Sequence, residues 1–126
     1  MFIVDMRSGK VTKLHVAHGS GSDPKNKGVP TRFSNRVNSK ASSLGFYRAA
    51  EPYKGKHGLS VRLDGLSSTN SRARERAVVV HGAKYVYDSD IKPGRSAGCL
   101  AVSMSWHKAV ANMIKDGSII YAGLAN

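Results

Sequence analysis

One thiol and five imidazoles are the side chains in this sequence best suited to nucleophilic or proton-transfer chemistry. Cys99 is the sole cysteine, which excludes an intrachain disulfide and any site built from several thiolates. It follows Gly94-Arg95-Ser96-Ala97-Gly98, and His81 stands upstream at the end of the apolar run Ala77 to Val80. Small residues ahead of the cysteine let the backbone approach a ligand closely and let N–H groups converge on one point. A thiol paired with an oriented imidazole, with amide donors for an oxyanion, is the minimum for acyl transfer through a covalent intermediate. The charge of Arg95, the imidazole and the start of a following helix are each expected to lower the thiol pKa. Spacing alone leaves the bland alternative equally open, because a lone cysteine often serves only as a small buried apolar side chain.

The remaining histidines carry weaker signals. None falls in a metal-binding spacing such as HExxH, and there is no phosphate-cradling or dinucleotide fingerprint, so no metal and no cofactor is expected. His15 lies in a β-prone run and reads as structural, and His107 reads as a solvated residue on a helix's polar side. His18 and His57 each precede a glycine in loop-like sequence, where binding residues concentrate.

These residues need elements to hold them. Met1 to Met6 and Val11 to Ala17 are β-prone runs joined at Arg7-Ser8-Gly9-Lys10, a predicted hairpin. His18 to Ser43, rich in Gly, Ser, Asn and Pro, predicts a long functional loop. Leu44 to Arg48 predicts a short strand. Leu59, Val61 and Leu63 alternate with polar residues as in a strand with one buried face. Ser67 to Arg76 predicts a loop, and Ala77 to Val80 a strand buried on both faces that ends at His81-Gly82. Beyond Cys99, Ser103 is placed to cap a helix whose apolar stripe is Trp106, Ala109, Val110, Met113 and Ile114, with Lys115 in its last turn and Gly117 ending it. Ser118 to Tyr121 predicts a final strand. The expected architecture is mainly β with one packed helix after the cysteine, in a single domain spanning 1–126.

Twenty Lys and Arg against eight Asp and Glu give a formal charge of +12. Such an excess attracts polyanions, whether nucleic acid, acidic wall polymer or an anionic membrane surface. No basic block of five or more and no nucleic-acid-binding signature is present, so charge indicates an acidic partner and goes no further. No apolar run of 18 residues exists, and MFIVDMRSGK lacks the basic start and apolar core of an export signal.

The chemistry-bearing stretch resembles a known family. His81, then fourteen residues, then Ser96-Ala97-Gly98-Cys99 resembles the L,D-transpeptidase signature, in which a His precedes Ser/Thr-His-Gly-Cys by a similar interval. GRSAGCLAV is closer still to the second YkuD-like branch of that family. VAHGSGSD at 16–23, SSLGFYR at 42–48, GKHGLSVRLDGL at 55–66 and VVVHGA at 78–83 extend the likeness across most of the chain. Ala97 replaces the histidine of the main branch, and Ala101 stands where that branch carries a polar residue.

The resemblance implies an L,D-transpeptidase-like β-sandwich and a peptidoglycan substrate. Cys99 would attack the third residue of a stem tetrapeptide, with His81 as general acid and base and the carbonyl of Gly82 orienting it. The N–H groups of Gly98 and Cys99 would hold the oxyanion. Arg95, Ser96 and Arg62 would bind substrate carboxylates, with His57 and Tyr85 as further cleft candidates. Arg62 also reads as a solvated strand residue and Tyr85 as a packed aromatic. Hydrolysis instead of cross-linking, and a non-enzymatic polyanion-binding domain, are the alternatives. The expected partners are peptidoglycan stem peptides and not nucleic acid, the chain is expected to act as a monomer, and the location is periplasmic or cell-wall associated. Because such a substrate lies outside the cytoplasmic membrane, an in-frame N-terminal extension encoding an export signal or anchor is also expected.

Overall fold

Two antiparallel strands near the N-terminus, β1 (Phe2–Val4) and β2 (Val11–Lys13), form a ribbon that lies over a larger sheet in this computed structural model, which describes residues 1–124. The larger sheet contains β3 (Gly45–Gly55), β4 (Gly58–Gly65), β5 (Val79–Ala83), β6 (Leu100–Ser103) and β7 (Ile119–Ala122), in the order β6-β5-β4-β3-β7. Only β5 and β6 run parallel. Among the described residues the single α-helix, α1, spans His107–Ile114. Ala125 and Asn126, included in the expected domain span, lie outside the described residues.

The architecture is mainly β, a sandwich with one packed helix, as the sequence pattern and the resemblance implied. One face of the large sheet carries the main core. Tyr47, Ala49, Val61, Leu63, Val80 and Val102 meet Val110, Ala111 and Ile114 from α1, with Leu14, Met1 and Ile3 from the ribbon region. The alternation read at Val61 and Leu63 delivers both to this face, each fully buried. The opposite face carries a smaller cluster of Ala17, Ala83, Val86 and Ala101, with Tyr85 packed against it.

Several elements differ from expectation. The strand expected at Leu44 to Arg48 runs on to Gly55 through an irregularity between Ala49 and Pro52. It can do so because β7 covers only Gly45 to Arg48, so Pro52 sits where β3 is an edge and no ladder donor is required of it. The strand expected to end at His81 continues to Ala83, since β6 supplies a parallel partner for His81, Gly82 and Ala83. His81 is therefore the middle residue of β5 and only 4% exposed, not a half-exposed residue at a strand's end.

Ser103 does not cap the helix. It ends β6, its hydroxyl donates to Asp88, and α1 starts after Trp106 without a side-chain cap. The inward face of α1 is His107, Val110, Ala111 and Ile114, while Ala109 and Met113 face solvent. His107, expected to be solvated, is buried with its Nδ1 2.6 Å from the Met104 carbonyl oxygen. No helix among the described residues is long and apolar enough to cross a membrane.

Candidate functional site

The parallel register of β5 and β6 sets the site. Val80 lies opposite Leu100 and His81 opposite Ala101, so one step back along both strands sets Val79 beside Cys99. Paired residues share a face, and alternate residues along a strand share it too. His81 lies in β5 and Cys99 in the bend just before β6, and the alternation carried one residue back from Leu100 puts the two on the same side of the sheet. Carried one residue beyond β6, the ladder spacing puts their Cα atoms about 8 Å apart (~4.8 Å across, ~6.6 Å along). Arg62, opposite Val79 on β4, shares the face.

The imidazole is held from both sides. Its Nδ1 lies 2.9 Å from the Gly82 carbonyl oxygen, which fixes Nδ1 as the protonated nitrogen and leaves Nε2 as the acceptor. Gly82 turns its missing side chain to the other face, where a Cβ would come within 2.7 Å of the His107 Cβ and of the Met104 sulfur. Above the ring, His57 stacks with centroids 4.2 Å apart. It gets there because Gly55 and Gly58 pair across a turn of only Lys56 and His57, with Gly58 at φ 81°. Burial pushes the His81 pKa down; the Gly82 hydrogen bond opposes this, and the charges of His57 and Lys56 add to it.

The thiol is half-buried. Its Sγ receives the Val79 N–H at 3.5 Å and donates to the Ala77 carbonyl at 3.5 Å, so the bend of chain around Val78 cradles it. Ala77 takes a left-handed φ of 55° to make that bend. The imidazole is not among the sulfur's hydrogen-bond partners. Burial pushes the thiol pKa up, against the Val79 N–H and the charges of Arg76 and Lys56. This corrects the expectation of a lowered pKa on two counts. The helix N-terminus is a whole strand away from the sulfur, since β6 intervenes, and Arg95 points elsewhere. Both shifts favour the uncharged form of their group.

The glycine-rich approach folds as a tight turn. Ser96 is buried, and its hydroxyl accepts the Gly98 N–H at 3.2 Å and donates to the Cys99 carbonyl at 2.7 Å. The Gly98 amide, expected to face an oxyanion, is therefore already engaged inside the turn. Gly98 itself has φ 113°, and a Cβ on Gly19 would sit 2.9 Å from the Gly98 Cα. The segment after β2 runs alongside this turn: Ser96 N–H donates to the His18 carbonyl and Ser20 N–H to the Ser96 carbonyl. Arg95 donates to the Asp23 carbonyl at 2.6 Å, and the His18 ring lies 3.1 Å from the Asp23 carboxylate.

Arg62 is 4.2 Å from the Tyr53 ring centroid and 3.6 Å from Glu51, within a surface network in which Arg74 grips Glu51 and Asp64. Tyr85 is half-buried beside Gly94, and burial, then the nearby sulfur's charge, push its phenol pKa up. The site thus gathers Cys99, His81, His57, Gly82, Gly98 and Ser96, with Tyr85 and Arg62 on the same face. Arg95 and His18 instead brace the turn from the neighbouring loop. Sequence reasoning missed the roles of Lys56, Ala77, Val79 and Arg76. The Gly-Lys-His-Gly turn flanked by β-prone runs was the available signal for Lys56.

A family model described as an L,D-transpeptidase catalytic domain matches residues 1–122. No curated protein matches the chain, and no solved structure does.

Proposed function

Because the chain belongs to the L,D-transpeptidase catalytic-domain family, we propose that it is a cysteine-dependent acyltransferase that cross-links peptidoglycan stem peptides as one catalytic domain. The observation that supports this reading is that the parallel pairing of β5 and β6 brings His81 and the turn ending in Cys99 to one end of the sheet, with Nδ1 of His81 tied to the Gly82 carbonyl.

The chemistry follows from the free nitrogen. Nε2 of His81 takes the thiol proton as Sγ attacks the carbonyl carbon of the third residue of a stem tetrapeptide. The resulting oxyanion is met by the N–H of Cys99, the amide of the turn that is not spent on Ser96. Collapse breaks the peptide bond, the imidazolium returns its proton to the departing amine of the terminal D-alanine, and a thioester remains on Cys99. An acceptor amine then attacks the thioester, gives its proton to His81, and leaves as the new amide while the thiol is restored. Arg62, Ser96, Arg95, His57 and Tyr85 are the proposed substrate contacts, Ser96 and Arg95 chiefly through the turn they brace. The high positive charge suits an acidic polymer such as the wall. A periplasmic or wall-associated location and a monomeric state complete the proposal.

The test is incubation of the purified chain with a stem tetrapeptide and an amine acceptor, followed by mass spectrometry. Expected are a thioester adduct on Cys99 and a cross-linked dimer, both absent from Cys99→Ala. Adduct with released tripeptide and no dimer assigns a hydrolase instead. No adduct with any stem peptide, while the chain still binds wall polymer, removes the enzymatic reading.

A further inference from the structure

Three arginines of the neighbouring sheet have acidic partners: Arg74 has Glu51 and Asp64, Arg62 has Glu51, and Arg48 has Asp64, while Arg95 donates to the Asp23 main-chain carbonyl. Arg76 has none among the described residues, although it is half-buried. Its donors go to neutral acceptors, Nη1 to the Ser34 carbonyl at 2.9 Å and Nη2 to the Ser39 hydroxyl at 3.1 Å and the Ala41 carbonyl at 2.6 Å. A charge withdrawn from water without a counter-ion is costly, and burial accordingly pushes the Arg76 pKa down.

The guanidinium is also placed against the nucleophile turn. A Cβ on Gly98 would lie 3.1 Å from Nη2 and 2.8 Å from the Ala41 oxygen that Nη2 holds. Immediately after Arg76, Ala77 and Val79 supply the two backbone groups that hold Sγ. The segment 76–79 thus sets a guanidinium against Gly98, next to Cys99, and brings two backbone contacts to its sulfur. In the resting state that sulfur is a thiol, and the cation has nothing negative to meet. Its counter-charge forms only when Cys99 loses its proton.

We propose that Arg76 is a positioning residue for the acyl-transfer step, its guanidinium pinning the 34–41 loop against Gly98 and balancing the negative charge that develops on Cys99. Half-burial strengthens this attraction over its value in water, and the three neutral acceptors keep the fork aimed without cancelling its charge. The inference rests on Cys99 acting as the nucleophile, and deepens that reading.

The experiment follows alkylation of Cys99 by iodoacetamide, an uncharged reagent, across pH in the wild-type chain, Arg76→Gln and Arg76→Lys, each checked for folding by thermal melting. Arg76→Gln is expected to raise the alkylation midpoint by about one unit, about tenfold less thiolate at a given pH below it. Arg76→Lys, which keeps the charge, is expected to restore most of that shift. A folded Arg76→Gln with the wild-type midpoint, or equal shifts in both variants, overturns the proposal. If Arg76→Gln does not fold, Cys99→Asp and Cys99→Asn answer the same question with Arg76 intact. Cys99→Asp is then expected to melt higher than Cys99→Asn at pH 7, and a lower melting temperature overturns the proposal. Because alkylation needs no stem peptide, an Arg76-dependent midpoint in a chain that turns over no tetrapeptide would sink the transpeptidase reading while showing that Arg76 balances the charge on Cys99.

Discussion

His57 lies on His81 with the two imidazole planes 17° from parallel and their centroids 4.2 Å apart. The upper ring comes from an exposed two-residue turn and the lower from the middle of a buried strand, so the stack covers His81 from solvent.

That cover has a pH consequence. Burial, followed by the charges of His57 and Lys56, keeps the His81 pKa below its ordinary value. A general base works in its neutral form, so kcat/KM is expected to hold as pH falls until it passes that lowered pKa. His57→Ala opens the ring to water and removes one positive neighbour, so the acid limb should move up toward the ordinary histidine value. Beyond the loss of a substrate contact, which is felt at every pH, activity should fall further at pH 6 than at pH 8. An NMR titration of the His81 ring checks this directly, and an unmoved midpoint would show that the stack has no electrostatic role.

Ser96 makes a second prediction, about geometry. Its hydroxyl closes the turn through the Gly98 N–H and the Cys99 carbonyl. Ser96→Ala should let the turn drift, and displacements of this kind cost about tenfold to a hundredfold in rate. The loss is expected in kcat with KM nearly unchanged, because the hydroxyl is occupied within the protein. A raised KM at constant kcat would assign Ser96 to ground-state substrate binding instead.

What was legible in the sequence followed local pattern. The β1–β2 hairpin and the alternation at Val61 and Leu63 depend on near neighbours, and the fold carries both, whereas the helix stops ahead of Gly117, with Lys115 as its C-cap and Asp116 in the left-handed region. The errors came from partners distant along the chain. Leu100 to Ser103 carries no strand signal of its own, because its ladder partner, β5, precedes it by a long connection. The stripe on α1 was drawn through Ala109 and Met113 because polarity alone set His107 aside, whereas the Met104 carbonyl satisfies that ring and lets it enter the core. Arg76 carried no signal at all: its acceptors at Ser34, Ser39 and Ala41 sit in a loop with no periodicity.

Tyr47 links this loop to the sheet. It is buried in β3, its hydroxyl donates to the Ser43 carbonyl and meets the Ser43 hydroxyl, both at 2.6 Å, and burial raises its pKa. Tyr47→Phe keeps the ring and abandons both partners, so a loss of about 1–3 kcal/mol is expected. Urea unfolding should show a lower midpoint with an unchanged slope. No loss would mean that water replaces the hydroxyl at Ser43.

Asp23 governs the acid side of stability. Burial by itself pushes its carboxyl up, but the N–H groups of Lys27 and Gly28 and the His18 ring outweigh this and hold the pKa at about 2. An unfolded aspartate titrates near 3.9, roughly the model-peptide value. Between these values the unfolded chain binds the proton and the folded chain does not, so the contribution is complete above about pH 4 and is lost as pH falls toward 2. Glu51, held at about 2 chiefly by its hydrogen bonds from Arg74, acts in the same direction, so the readout must be a difference between variants. Asp23→Asn is expected to melt below the wild type at pH 6, with the gap closing between pH 4 and pH 2. It should also slow turnover, because the loop that Asp23 anchors runs beside Ser96 through the His18 and Ser20 backbone bonds. Melting curves that stay parallel across that window would show that the Asp23 charge contributes nothing to holding the loop.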